Sequence, residues 1–432
     1  MRRYIAARDS GLALLQRYRT TLHQGVWAFA GQAMAGIFNL GGTRLITQYV
    51  APELYGVVSL VQNALILLRT LFCSPMFAAQ LRYYPDAERG NYLPALHRML
   101  RSALGKAVIG MELLAIVGAS IWIWSIGGNV RVILALILYI AFDVFRTLEM
   151  TVFSAARRQR PAALASAAEA LIRPLLVVVG VSLFGATVEV VLGAIAASIV
   201  VTLLGLYAGT GFESASGGVA MPPGIAAEMR RYALPLIPVA MLNWITSVSD
   251  RYIIQWVSHD LPSVGVYVAG YGLASQPFLI LQMVILLTFR PVYFAAISRG
   301  DNRHAKRTFR TWLILSTAIC STATGLIFVW RNLLVSALLG PKYHNAVVVV
   351  PWIALGYLFY VVEQVFEQHL LAHKRTDAVL ITQVCGAVAS IAITTSMVAS
   401  FGMVGAAYAC PVYFLIQCLL AGTLASRASA HS

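Results

Sequence analysis

Thr43-Arg44-Leu45-Ile46-Thr47-Gln48-Tyr49-Val50 returns later in the chain as Asp250-Arg251-Tyr252-Ile253-Ile254-Gln255-Trp256-Val257. Ala155-Ala156-Arg157-Arg158 is matched in the same way by Ala372-His373-Lys374-Arg375, and Phe184-Gly185 by Phe401-Gly402. Partners stand 207 residues apart in the first pair (251 minus 44) and 217 apart in the other two (374 minus 157). One half of the chain therefore repeats the other with about ten residues inserted, and self-similarity of so long a period sets the architecture before any single motif is read.

The medium follows from composition. Of 432 residues, 59% are hydrophobic and 11% charged, whereas an ordinary soluble domain carries about 25% charged residues. A polytopic membrane protein is the class that remains. Arg2, Arg3, Arg8, Arg17 and Arg19 precede the first apolar run, so no cleavable signal peptide is expected and segment 1–24 reads as cytoplasmic. The net charge of +15 points to no nucleic acid, because the basic residues sit in short loops between apolar runs rather than along one groove.

A bilayer core of about 30 Å needs about 20 apolar residues per helix. Twelve segments qualify: 25–50, 54–80, 102–125, 132–156, 162–183, 187–209, 232–257, 264–294, 310–330, 346–371, 377–399 and 403–425. With an internal N-terminus, the cytoplasmic side collects 23 of the 32 Lys and Arg, and the outer loops keep only Arg131, Arg331 and Lys342. One missed or invented span would destroy that asymmetry. The expected organisation is an N-terminal six-helix lobe over 25–209, a flexible cytoplasmic linker over 210–231, a C-terminal six-helix lobe over 232–425 and a cytoplasmic tail over 426–432. Six spans per half give both lobes the same orientation. The fold class is thus all-α, with about twelve transmembrane helices in two pseudo-symmetric lobes.

Ionisable side chains inside spans are expensive and mark functional candidates. Asp143, Arg146 and Glu149 follow one another at i, i+3 and i+6 in the fourth span, and are expected on one face; Glu169 and Arg173 lie at i, i+4 in the fifth. At the 217 offset Arg146 maps to Glu363, Asp143 to Tyr360, Glu169 to Gly386 and Arg173 to Ser390. Arg146 facing Glu363 would be a latch between the lobes at one end of a transport cycle; the other reading is a fixed ladder within the fourth span. Arg44 and Arg251 are related by the repeat and could ring the outer mouth; for Arg251 the alternative is pairing with Asp250. Arg290 suits a headgroup anchor or a substrate contact at the cytoplasmic end, and Arg69 has no charged mirror. Guanidinium forks suit phosphate oxygens. Glu363 and Glu367, at i, i+4, place two carboxylates on one face, a candidate site for a coupling proton or Na⁺.

Four stretches, LITQYVAPELYGVVSL (45–60), YALPLIPVAMLNWITSVSDRYII (232–254), GVYVAGY (265–271) and LGPKYHNA (339–346), resemble the polysaccharide flippases of the MOP exporter superfamily, the Wzx-type proteins. The resemblance implies a MATE/MurJ-like fold and a transporter of the bacterial inner membrane with both termini cytoplasmic. It also implies the cargo, an undecaprenyl-pyrophosphate-linked oligosaccharide flipped to the outer leaflet for cell-surface polysaccharide, and membrane lipids and polymerase or chain-length proteins as partners. The rival is a cation-coupled multidrug exporter of the same superfamily. Those exporters usually carry an acid in the first span, where residues 25–50 hold none. A membrane polymerase or glycosyltransferase is the third reading, but the outer loops are short and hold no metal-binding acidic motif.

The remaining features read as structural. No cofactor is expected. All five cysteines read as small core residues, and His369 and His373, though i, i+4, have no third ligand for a metal. Trp and Tyr near span ends form an interfacial belt. Pro235 and Pro238 follow the linker and are a candidate hinge.

Overall fold

The computed structural model describes residue 27 and residues 29–126, 129–210 and 219–430. Segment 1–24 and the Gly/Ser-rich part of the linker, 211–218, lie outside them. The described chain is all-helical. Helix α1 covers 29–49, followed by α2 (Pro52–Phe72), α3 (Ser74–Arg89), α4 (Leu93–Ile126), α5 (Arg131–Ala155), α6 (Gln159–Phe184) and α7 (Val188–Thr210). A linker helix, α8 (Ile225–Ala233), leads into α9 (Leu236–Ser258), α10 (Leu261–Ser298), α11 (Asn302–Leu338), α12 (Ala346–Ala372), α13 (Thr376–Phe401) and α14 (Met403–Ala430).

Ten segments among the described residues are long and apolar enough to cross a membrane, with α8 and α9 counted as one. The other two expected spans are α1 and α5. Every 18-residue window of α5 includes at least three of Arg131, Asp143, Arg146 and Glu149, and α1 is thinned by Gln32, Asn39, Thr43, Arg44 and Thr47. Both belong to the N-terminal lobe.

The repeat is written in the backbone as well as in the sequence. Arg157 and Lys374, 217 residues apart, both take left-handed φ values, 57° and 59°. Around them the same turn is built twice. Arg157 N donates to Ser154 O and Arg158 N to Phe153 O, while Lys374 N donates to Leu371 O and Arg375 N to Leu370 O. At the far ends of α6 and α13, Gly185 N reaches Val181 O and Gly402 N reaches Val398 O, again in register. Each turn closes orphan carbonyls at a helix end, which is why an αL residue recurs there.

Two differences from the expected spans have local causes. The second span ends at Phe72, and a separate α3 begins with Pro75 in its first turn, since proline fits a helix start but breaks a continuing helix. Part of the expected flexible linker is helical: Ile-Ala-Ala-Glu-Met-Arg-Arg-Tyr-Ala follows Gly224 at φ 91°. Its Met229 and Ala233 close a small core with Ala79, Tyr83, Ala87 and Leu96, and Tyr83 Oη donates to Glu228 Oε1 at 3.1 Å. Pro235 stands at the break between α8 and α9 rather than inside a span.

Each lobe has its own apolar core. That of the N-terminal lobe runs through Leu104, Met111, Ile140, Leu148, Val177 and Leu192. In the C-terminal lobe it is centred on α12 and α14, where Ile353, Ala354, Ala406 and Tyr413 have no exposed surface. Cysteines 73, 320, 410 and 418 are buried, as expected of core residues; Cys385 instead lies exposed on α13.

The lobes meet at the end opposite the basic loops, where the first turns of α2 and α10 cross backbone against backbone. A Cβ placed on Gly265 would lie 1.8 Å from Pro52 O, and one on Gly56 would lie 2.6 Å from Leu261 O. No real Cβ tolerates such distances, so both positions require glycine. Gly56 and Gly265 are structural counterparts, as are the neighbouring bonds Tyr55 N→Ala51 O and Val264 N→Asp260 O. A repeat-related pair thus sits on the axis between the lobes.

Candidate functional site: an ion ladder, a carboxylate cluster and the seam between the lobes

Three helices of the N-terminal lobe bring five charges into one alternating ladder. Arg69 on α2 donates through Nη1 to Asp143 Oδ2 on α5 at 2.5 Å, and to Thr147 Oγ1 at 3.1 Å. Asp143 Oδ1 accepts from Arg146 Nη2 at 2.8 Å. Arg146 Nη1 then reaches across to Glu169 Oε2 on α6 at 3.2 Å, and Glu169 accepts from Arg173 one turn further on. Both carboxylates are almost fully buried, at 8% and 5% side-chain exposure. Burying two unpaired acids would cost several kcal/mol each; here each lies between two guanidiniums. The ladder carries three guanidiniums against two carboxylates, a formal excess of one positive charge.

The spacing argument joins four of these residues correctly and misplaces Glu149. At 3.6 residues per turn a residue six positions on lies about 120° round the helix from Asp143, so Glu149 faces α4 and α7. It pairs with Arg101 at 3.4 Å and with Tyr207. The sequence marks Arg101 only as a cytoplasmic loop charge and Arg69 as a candidate cavity arginine without a partner, because a cross-helix partner leaves no mark in local spacing.

The C-terminal lobe answers with carboxylates and amides. Glu363 is completely buried and its Oε2 accepts from Gln364 Nε2 at 2.9 Å. Glu367 Oε2 accepts from Gln364 at 3.2 Å and from Gln383 on α13 at 3.0 Å. Gln417 on α14 extends the chain to Gln383. Glu367, Gln364 and Gln383 face a cavity of about 260 Å³ with Asn243, Thr246 and Ser247 of α9 on its other wall. The latch expected between Arg146 and Glu363 is not formed in this structure: each is engaged within its own lobe. Such an oxygen-rich pocket suits a proton or a small hard cation. His369 and His373 have ring centroids 4.4 Å apart, and His369 Nδ1 is engaged by Tyr293 Oη at 2.7 Å.

The two repeat-related arginines both cross the seam. Arg44 Nη1 donates to Ser336 O on α11 at 2.9 Å, and Arg251 Nη1 donates to Asn63 Oδ1 on α2 at 3.1 Å while lying 4.9 Å over the Tyr271 ring. They do not form a symmetric ring. The turn after α1 closes at Val50 and that after α9 at His259, so Arg251 sits two residues deeper than Arg44. Asp250 lies 3.9 Å from the Arg251 guanidinium and accepts instead from Tyr267 Oη at 2.5 Å and from the Arg251 backbone N–H at 2.8 Å. Tyr252 Oη to Leu60 O at 2.7 Å, Trp244 Nε1 to Asn63 O at 3.1 Å, Gly340 N to Thr47 Oγ1 at 2.8 Å and Tyr343 Oη to Val50 O at 2.9 Å complete the closure. Arg290 lies away from the seam, exposed toward the basic end and 5.5 Å over Phe294, near enough to Glu367 to act on its charge. The seam donors Tyr252 and Gly340 and the acceptor Asn63 escaped the sequence reading, although the repeat had marked their neighbourhood.

Residues 235–396, within the C-terminal lobe, match the MatE family. No curated protein matches the chain by sequence. Solved structures share the whole fold. An inward-facing multidrug resistance MATE family transporter of the MOP superfamily superposes with TM-score 0.74 at 12% identity, covering 93% of this chain and 98% of that one. The lipid II flippase MurJ, in an inward closed conformation, gives 0.68 at 13% identity over 94% and 87%. An outward-facing conformation of a multidrug resistance MATE family transporter gives 0.66 at 12% identity over 95% and 96%. The chain has the fold of these membrane transporters.

Proposed function

We propose that the protein flips a lipid-linked oligosaccharide carrying a pyrophosphate from the inner to the outer leaflet of a bacterial inner membrane, for cell-surface polysaccharide synthesis. The basic end is then cytoplasmic, and the sealed end faces outward. One observation carries the reading: a ladder with more guanidiniums than carboxylates, at mid-depth, in a lobe whose first helix has no acid. Arg69, Arg146 and Arg173 offer forked donors to phosphate oxygens as the cargo passes between the lobes. Arg44 and Arg251 hold the outer end shut until the cargo has loaded, and Arg290 meets headgroups at the cytoplasmic face. Glu363 and Glu367 take up the coupling proton or Na⁺, and its release resets the lobes.

A cation-coupled exporter of small molecules is the second reading. The carboxylate cavity of the C-terminal lobe and the likeness to multidrug transporters favour it. The two separate in a flippase-deficient strain with defined glycans. Restored surface polysaccharide, lost in Arg146→Ala and partly kept in Arg146→Lys at equal protein level, supports the flippase. Resistance to cationic drugs without any restored polysaccharide overturns it.

A further inference from the structure

A second, smaller cavity of about 180 Å³ lies between α1, α2, α6 and α7 of the N-terminal lobe, toward the sealed end, with Val268 of α10 also lining it. Arg173 lines it together with Asn39, Thr43, Ser59 and Gln62, and no carboxylate is among its lining residues. Arg173 is the last member of the ion ladder. It has one acidic partner, Glu169, and its Nε is buried without a hydrogen bond. The half-buried side-chain amide of Gln62 holds no hydrogen bond to another described residue, whereas Asn39 is exposed.

Donors without partners, a guanidinium at one end and a ladder with one positive charge too many describe a site for an anion. We propose that this cavity binds one small monovalent inorganic anion of halide size against Arg173. Its valence follows from the ladder: one negative charge neutralises the excess, and two would reverse it. Its size follows from the space, which admits an anion with a few waters, each occupying about 30 Å³ in the liquid, and excludes a glycan. With the anion in place the five side chains of the ladder carry no net charge, and their movement drags none through the transmembrane potential. The inference goes beyond the substrate reading and stands or falls separately from it, since binding is read without any lipid cargo.

The test is a thermal-stability titration of the purified full-length protein. Sodium chloride and sodium bromide are compared with sodium gluconate at constant ionic strength, with inorganic pyrophosphate as a separate arm. A ligand that binds only the folded state raises Tm with concentration. Wild type should gain stability saturably with chloride and bromide, and bromide should give an anomalous-scattering peak in contact with the Arg173 guanidinium. Gln62→Leu removes a lining amide and leaves the ladder intact; its halide midpoint should rise about tenfold, which by the affinity relation is about 1.4 kcal/mol. Arg173→Lys should weaken it further. Superimposable chloride and gluconate curves overturn the proposal, and so does a Gln62→Leu midpoint equal to that of wild type. Stabilisation by pyrophosphate alone also overturns it, because the site would then belong to a phosphate headgroup.

Discussion

The two lobes share a backbone and solve the same problem differently. In α2, α5 and α6 the N-terminal lobe pairs its buried charges in a ladder of five. In α12 and α13 the C-terminal lobe holds two acids among glutamines, with Glu363 bonded to Gln364 and Glu367 to Gln364 and Gln383. Helices α5 and α6 are the repeat counterparts of α12 and α13, and the turns joining them carry identical hydrogen bonds. What diverged is the chemistry placed on them. A backbone repeat survives such exchange because membrane helices satisfy their own peptide groups, leaving side chains inside the lobe free to change.

Breaking the ladder should have the largest effect. Arg146 touches both acids, so Arg146→Ala leaves two buried carboxylates each with one partner, a loss of about 3–5 kcal/mol. The expected result is poor recovery or a clearly lower Tm in fluorescence-detected gel filtration. A wild-type Tm would show that the ladder is wet and weak. The crossing between the lobes should respond to both copies alike. Gly56→Ala and Gly265→Ala each force a methyl into backbone, an overpacking cost of about 1–3 kcal/mol borne by the closed state alone. Ser59→Cys, 8% exposed beneath the crossing, should then label with an impermeant maleimide from the outer side. Gly272→Ala, with open space around its Cβ, should leave it shielded. Equal labelling in all three would separate the crossing from the gate.

Smaller effects sharpen the contrast between the lobes. Arg101 is 40% exposed, so Arg101→Ala should cost no more than about 1 kcal/mol. Its measure is the denaturation midpoint beside that of Arg146→Ala. Glu363→Gln should leave stability unchanged or raise it, because the acid has no cationic partner to strand. In proteoliposomes the same variant should lose its response to an imposed proton or Na⁺ gradient. A destabilised Glu363→Gln protein would mean that the C-terminal lobe hides a ladder of its own.

The sequence carried the duplication, the all-helical membrane class with ten of its spans, and most of the ladder, for reasons that can be named. Hydrocarbon demands long apolar runs, and i, i+3 and i, i+4 spacings survive in the finished helices as Asp143–Arg146 and Glu169–Arg173. What it could not carry were contacts between helices. Arg69 meets Asp143 across 74 positions and Arg44 meets Ser336 across 292, and no local pattern encodes either. Glu149 differs for a simpler reason, since a step of six ends about 120° away, on another face of the helix. The helical linker segment was obscured by the glycines and prolines just before it. The matched arginines looked symmetric because sequence alignment hides a two-residue difference in where the helices turn.

The crossing of Gly56 with Gly265 has a meaning for origin. When the same residue stands on both sides of a pseudo-axis, the contact is of the kind that two identical chains make in an isologous dimer. Each half of this protein retains the face needed to recognise its own twin. Divergence elsewhere could proceed freely, because carbonyl and Cα atoms are common to every sequence and only the missing methyl had to be kept.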